Sequence, residues 1–209
     1  MTVVFDLDDT LYDEKDFVRS GFLEVASYLG DRKYYEFMWR KFHEEGSGKI
    51  FDILVDGFDL KDPVQKLIEI YRFHTPTISL PKESDEILKY CKNFSTALIT
   101  DGHYIMQKNK FHALELQGRI DYPVFTDWVH TRKPEPKAYE MIMRHFGGNV
   151  PFIYISDNPQ KDFVAPRKLG WISIRFKNPR GIYRELESDA DYEVESRKEI
   201  LELLRNFNA

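Results

Sequence analysis

The chain opens on Val3-Val4-Phe5, a short apolar run of β-forming residues that meets a carboxylate at Asp6. Such a run predicts a buried strand. Three comparable runs follow at residues 96–99, 152–155 and 172–176, with a weaker one at 122–125. Helical patterns separate them, over residues 103–116, 135–146 and 161–169. Each is followed by the glycine that a helix C-terminus favours, at Gly118, Gly147 and Gly170. A last helix is predicted over residues 196–207, with Ile200, Leu203, Leu204 and Phe207 on one stripe. Strands alternating with helices of this length predict an α/β fold, a parallel sheet with helices on both faces. A sheet of that kind binds ligands outside the carboxyl ends of its strands.

Between the first strand and the second the pattern changes. Val18, Phe22, Val25 and Leu29 share one helical face, closed by Gly30, and Asp31 is placed to cap a second helix carrying Tyr35, Met38 and Phe42. Asp62-Pro63 reads as a further helix start, with Val64, Leu67, Ile68 and Tyr71 behind it. The expected organisation is an α/β core formed by residues 1–13 and 80–209, with a small all-helical cap at 14–79. Gly46-Ser47-Gly48 reads as a mobile cap loop or a turn between helices. The aromatic residues Tyr34, Tyr35, Phe37, Trp39 and Phe42 are expected to pack the cap. Lys15, Arg19, Arg32, Lys33, Tyr34 and Arg40 are candidates to touch a polar substrate, against the plainer reading as solvated helix faces.

A formal net charge of -5 over 209 residues argues against a nucleic-acid polymer as partner, since the broad basic surface that would require is missing. The single cysteine, Cys91, forms no internal disulfide, in keeping with a reducing cytoplasm, and reads as a buried structural thiol. No stretch reads as a signal peptide or a membrane span. The six histidines show no metal-ligand spacing, and surface or capping roles are expected for them.

Chemistry concentrates in four polar clusters, each directly after a predicted strand or at a helix start. Asp6-Leu7-Asp8-Asp9-Thr10 crowds three carboxylates that repel one another unless a cation or proton intervenes. Thr100-Asp101-Gly102 offers a hydroxyl and backbone N–H groups suited to a phosphate. Lys133, ahead of Pro134-Glu135-Pro136, supplies a cation for a phosphate or a carboxylate. Asp157 and Asp162, the latter expected in the first turn of the following helix, provide the hard oxygen ligands that suit Mg²⁺. Taken singly, each cluster also reads as an ordinary turn or helix cap. Their joint placement at the carboxyl side of the strands favours a common site.

In this order and approximate spacing the clusters resemble the four motifs of the haloacid dehalogenase-like (HAD) hydrolase superfamily. Asp6-Leu7-Asp8-Asp9-Thr10 is similar to its Asp-x-Asp-x-Thr motif, Leu98 to Gly102 to the second, Lys133 to Pro136 to the third, and Asp157 with Asp162 to the fourth. The helical insert is similar to the C1 cap, and Ser156 stands where the superfamily usually has glycine. The resemblance implies a Rossmann-like core and a Mg²⁺-dependent phosphatase acting on a small phosphate monoester such as a sugar phosphate or nucleotide. It implies Asp6 as nucleophile and Asp8 as general acid and base, with Asp8 protonated while Asp6 is ionised. Asp6, the Asp8 carbonyl and Asp157 would hold the metal, supported by Asp162, while Thr100, Asp101, Gly102 and Lys133 would bind the phosphoryl group. A phosphomutase or phosphotransferase on the same core, or a non-catalytic binding protein, is the alternative.

Overall fold

A computed structural model describes every residue except Ser47, Asn149 and Ala209. The part of the Gly46-Ser47-Gly48 reading that falls on Ser47 therefore lies outside the described residues. The chain divides into two compact units, one of Met1–Glu14 with Ser79–Ala209 and one of Lys15–Ile78.

The larger unit is built on a six-stranded parallel sheet. Its strands are β1 (Thr2–Phe5), β2 (Ser95–Thr100), β3 (Tyr122–Phe125), β4 (Phe152–Ser156), β5 (Ile172–Phe176) and β6 (Tyr192–Val194), in the spatial order β3-β2-β1-β4-β5-β6. All four residues of β1 are buried. Side chains alternate between the faces of a strand, so both faces of the sheet are covered there. On one face Val4, Ala97, Ile99 and Val124 pack with Ala138, Tyr139 and Ile142, and with Phe163 and Trp171.

Register decides where the polar clusters land. Phe5 lies opposite Leu98 on β2 and opposite Ile155 on β4, and Thr100 lies opposite Phe125. Asp6, Thr100 and Ser156-Asp157 therefore end up at one edge of the sheet. The strand order reverses between β1 and β4, and that reversal is where an open α/β sheet forms its crevice.

The smaller unit holds most of α1 (Glu14–Leu29), then α2 (Arg32–Glu45), α3 (Ile50–Phe58) and α4 (Val64–Phe73). Val18, Phe22 and Val25 of α1 meet Met38, Leu54 and Leu67 in its core, and Tyr34, Tyr35, Phe37, Trp39 and Phe42 pack against that cluster. Asp31 caps α2 as expected, its carboxylate accepting from the Lys33 N–H. Asp62 does not cap α4. Its carboxylate accepts from the Tyr28 hydroxyl instead, and Pro63 occupies the cap position. His74 is buried rather than on the surface, with its ring nitrogens against the Tyr71 carbonyl and the Ser20 hydroxyl.

In the larger unit α5 (Lys82–Tyr90) precedes β2, α6 (Tyr104–Ala113) follows it, and α7 (Lys137–Phe146) leads to β4. The helix between β4 and β5 is shorter than the sequence pattern suggests. α8 spans only Val164–Lys168, so Asp162 lies in the loop ahead of it rather than in its first turn. α9 (Arg197–Asn206) starts one residue after Ser196, whose hydroxyl accepts from the Glu199 N–H. Cys91 is fully buried, and burial pushes its thiol up to about 12, which leaves no thiolate to act as a nucleophile near neutrality.

Candidate active site

Asp6, Asp8, Thr100, Asp101, Gly102, Lys133, Asp157 and Asp162 all line one cavity of about 230 Å³ at the carboxyl edge of the sheet. Strands β1, β2 and β4 each run straight into it. At its floor Lys133 Nζ stands 2.6 Å from Asp6 Oδ1 and 2.9 Å from Asp162 Oδ1, all three side chains being buried. The ammonium also donates to the Tyr154 hydroxyl at 3.3 Å. Burial alone would lower the pKa of Lys133. The adjacent carboxylates of Asp162 and Asp6 outweigh that and raise its pKa well above the ordinary value.

Asp157 completes the floor. Single carboxylate oxygens of Asp6, Asp157 and Asp162 all lie within 4.8 Å of one another. Burial, with Asp6, Asp9 and Asp162 close by, pushes Asp157 up to about 9. Three buried carboxyl groups stand against one ammonium, and their crowding keeps Asp157 protonated near neutrality until a cation takes the place of its proton. Hard oxygen donors in that state fit a divalent cation such as Mg²⁺.

Ser156, in place of a motif glycine, has a specific use. Its buried hydroxyl donates to Asp162 Oδ2 and so fixes the carboxylate that faces Lys133. Asp101 acts on the opposite wall. Its carboxylate accepts from the Thr126 hydroxyl at 2.8 Å and the Lys133 N–H at 3.1 Å, and pairs with Lys161 Nζ at 2.7 Å. Those bonds tie the loops after β2 and β3 to the segment after β4. An ionised carboxylate has no donor for a phosphoryl oxygen, so only the backbone of Asp101 is suited to bind one. Gly102 takes φ +114, a conformation L side chains rarely adopt, and a Cβ there would meet Gln107 at 3.4 Å.

The two motif aspartates titrate in the opposite order to the expected one. Burial pushes Asp6 up to about 7 despite Lys133. Asp8 is partly exposed, and although desolvation pushes its carboxyl up, Lys110, Tyr12 and Gln107 outweigh that and hold it below the usual range. Lys110 Nζ lies 2.7 Å from Asp8 Oδ1, the Tyr12 hydroxyl donates to the same oxygen at 2.5 Å, and Gln107 Nε2 donates to Oδ2 at 2.7 Å.

Lys110 and Gln107 escaped the sequence reading. The available signal was the stripe Gln107, Lys110, Phe111 on α6, where two polar residues interrupt a face that packs inward. Glu14, Asn158, Lys161 and Tyr183 also line the cavity and were not singled out. Tyr183 comes from the β5–β6 connection, pinned by the buried guanidinium of Arg175, which donates to the Leu186 and Tyr183 carbonyls and pairs with Glu193.

The sequence pattern of the haloacid dehalogenase-like hydrolase family matches residues 3–176, from β1 to the end of β5 and through every residue of the cavity floor. The chain belongs to that family. Among characterised relatives, two proteins named glyceraldehyde 3-phosphate phosphatase are similar over nearly their whole length. The one from Methanocaldococcus jannaschii is 25% identical, covering 98% of this chain and 97% of the relative. The one from Pyrococcus furiosus is 27% identical over 99% and 93%. Solved structures share the fold of this HAD hydrolase at lower identity. A Thermotoga maritima protein assigned as a β-phosphoglucomutase superposes with a TM-score of 0.73 at 21% identity, covering 98% of each chain. L-2-haloacid dehalogenase from Xanthobacter autotrophicus superposes with 0.65 at 16% identity, again over 98% of each.

Proposed function

We propose that this HAD hydrolase is a Mg²⁺-dependent phosphatase that cleaves a small phosphate monoester through a phosphoryl-enzyme formed on Asp6. The observation that carries the reading is the floor of the cavity. There a buried carboxylate at the end of β1 is paired at 2.6 Å with Lys133 and grouped with Asp157 and Asp162. The retained acidic group and Asp8 speak against a metal-free dehalogenase. The names of the two archaeal relatives favour a short phosphorylated carbohydrate as substrate. A phosphomutase or a non-catalytic binding role is the less favoured reading, since the two archaeal relatives similar over nearly their whole length are named phosphatases.

Asp6, the Asp8 carbonyl and Asp157 would hold Mg²⁺, which would offset the cavity's excess charge and stabilise the transferring phosphoryl oxygens. In the first step an Asp6 carboxylate oxygen attacks phosphorus, the bond to the leaving oxygen breaks, and the Asp8 carboxyl gives its proton to that oxygen. In the second, water attacks the same phosphorus and gives its proton to Asp8. The Asp6–phosphorus bond then breaks, releasing inorganic phosphate and restoring both carboxyl groups. The ionised Asp8 that Lys110 favours is the form that precedes this second step. Thr100, with the backbone of Asp101 and Gly102, and the Lys133 ammonium hold the phosphoryl oxygens in line, which is most of what phosphoryl transfer requires. Asp162 supports the floor through Lys133.

The helical unit inserted after the first strand is proposed as the cap that contacts the leaving group, with the core at residues 1–13 and 80–209. A cytoplasmic location is proposed from the lone buried thiol. No helix among the described residues is long and apolar enough to cross a membrane. The test is phosphate release from a panel of phosphorylated metabolites, with Mg²⁺ and with excess chelator, for wild type and Asp6→Asn. Turnover that needs Mg²⁺ and disappears in Asp6→Asn is expected. Turnover that survives in Asp6→Asn would sink the mechanism.

A further inference from the structure

Lys110 is completely buried, yet it is not among the residues that line the cavity. Its ammonium meets Asp8 Oδ1 at 2.7 Å, with Glu14 Oε1 at 3.8 Å. Gln107, one helical turn earlier on the same face of α6, is also fully buried. Its Nε2 donates both to Asp8 Oδ2 at 2.7 Å and to the Thr100 hydroxyl at 2.5 Å. The carboxylate only accepts, which fixes the amide with its nitrogen toward Asp8 and Thr100. Together with the Tyr12 hydroxyl, both Asp8 oxygens are held, while the carboxyl, 22% exposed, keeps an edge in the cavity.

A buried ion pair is weak support for stability, because apolar residues of the same volume often serve as well. Placing a lysine and a glutamine at inward positions of α6 makes sense if the precise direction of the Asp8 carboxyl matters. Proton transfer to a leaving oxygen and from an attacking water demands that direction within a few tenths of an ångström.

We propose that Lys110 and Gln107 are positioning residues that aim the Asp8 carboxyl at the leaving oxygen and then at the hydrolytic water, with Gln107 tying that aim to Thr100. The inference rests on the phosphatase reading above. It assigns to one face of α6 a share of both proton transfers, with no contact to the substrate.

The leaving group separates this role from a merely structural one. p-Nitrophenolate leaves without a proton, so loss of aim at Asp8 spares the first step and impairs only the second. For Lys110→Met, pre-steady-state kinetics with p-nitrophenyl phosphate should show a burst of p-nitrophenol close to one per enzyme. Slow turnover and a phosphoryl group trapped on Asp6, detected by mass, should follow. With the alkyl phosphate that wild type turns over fastest, the same variant should show no burst. Its kcat should fall about 100-fold with little change in KM. Asp8→Asn is the reference and must give the same pair of patterns. Gln107→Met, which keeps the ion pair, should give them more weakly, and carries the test alone if Lys110→Met lacks a cooperative melting transition. Equal losses on both substrates without a burst, or rates within twofold of wild type, overturn the inference. A wild type that releases no phosphate, or never labels Asp6, overturns the phosphatase reading instead and this inference with it.

Discussion

Lys133 concentrates the residue-scale argument, because one ammonium serves two buried carboxylates. Replacing it by methionine keeps the volume and leaves both charges uncompensated, a loss of about 3–5 kcal/mol by analogy with other broken buried pairs. Activity is expected to fall by on the order of 10²–10³, the usual effect of removing one charge-stabilising donor. Urea unfolding and phosphate-release rates measure the two separately, and Mg²⁺ should recover part of the stability but little of the rate. Asp13 makes a second case away from the cavity. Burial opposes its charge, but Arg197 at 2.8 Å, Arg180 at 2.7 Å and Asn178 lower its pKa below 3.8. A lowered carboxyl in the folded state stabilises above its ordinary value and loses that contribution as pH falls through the folded one. Asp13→Asn is therefore expected to cost about 2 kcal/mol at pH 7, as for a hydrogen bond to a charged group. The difference from wild type should close in acid below that value. Urea midpoints at neutral pH and in acid decide it. An equal gap at both would mean that shape, not charge, is what Asp13 supplies.

At the scale of elements, the strands that carry the cavity were legible because they are buried on both faces and read as unbroken apolar runs ending in polar residues. β6 was not. It is a three-residue edge strand, Tyr-Glu-Val, with two exposed positions, and nothing local distinguishes it from a loop. α5 follows Pro81, which stands at its N-cap, and this proline start carries no side-chain cap for a sequence reading to find. α8 begins only at Val164, because Asp162 is engaged by Ser156 and Lys133 rather than by a helical turn. The motif aspartates could be named from their spacing. Their opposite pKa shifts could not, since those depend on Lys110 reaching Asp8 across 102 residues of chain. α6 shows how one element joins these scales. Its first N–H groups are not capped from within, and Asp127, on the loop after β3, accepts from the Tyr104 N–H at 2.8 Å. Asp127→Ala is expected to cost about 1 kcal/mol, the usual value of a lost helix cap. Thermal melts give the cost. An unchanged melt would show that water replaces the carboxylate at no loss.

For the molecule as a whole, stability and function pull against each other at the cavity floor. Asp6, Asp157 and Asp162 are gathered in a buried place, with Lys133 paired to two of them. Without a cation this arrangement weakens the larger unit, and with one it becomes a source of stability. A ligand that binds only the folded chain adds RT ln(1 + [L]/Kd), about 2.7 kcal/mol at a hundredfold excess over Kd. Mg²⁺ is therefore expected to raise the melting temperature of wild type. Asp157→Asn should change both sides of the balance. In chelator at neutral pH it removes the cost of protonating a crowded buried carboxyl on folding, and should melt higher than wild type, by ~2–4 °C for each kcal/mol relieved in a chain of this size. In Mg²⁺ it has lost a hard ligand and should gain little or nothing, so the order of the two proteins reverses. Scanning calorimetry of both, with metal and with chelator, reads this directly. A variant less stable than wild type in chelator would show that the Asp157 carboxyl already has a compensating partner without metal, and that its place is not kept for a cation.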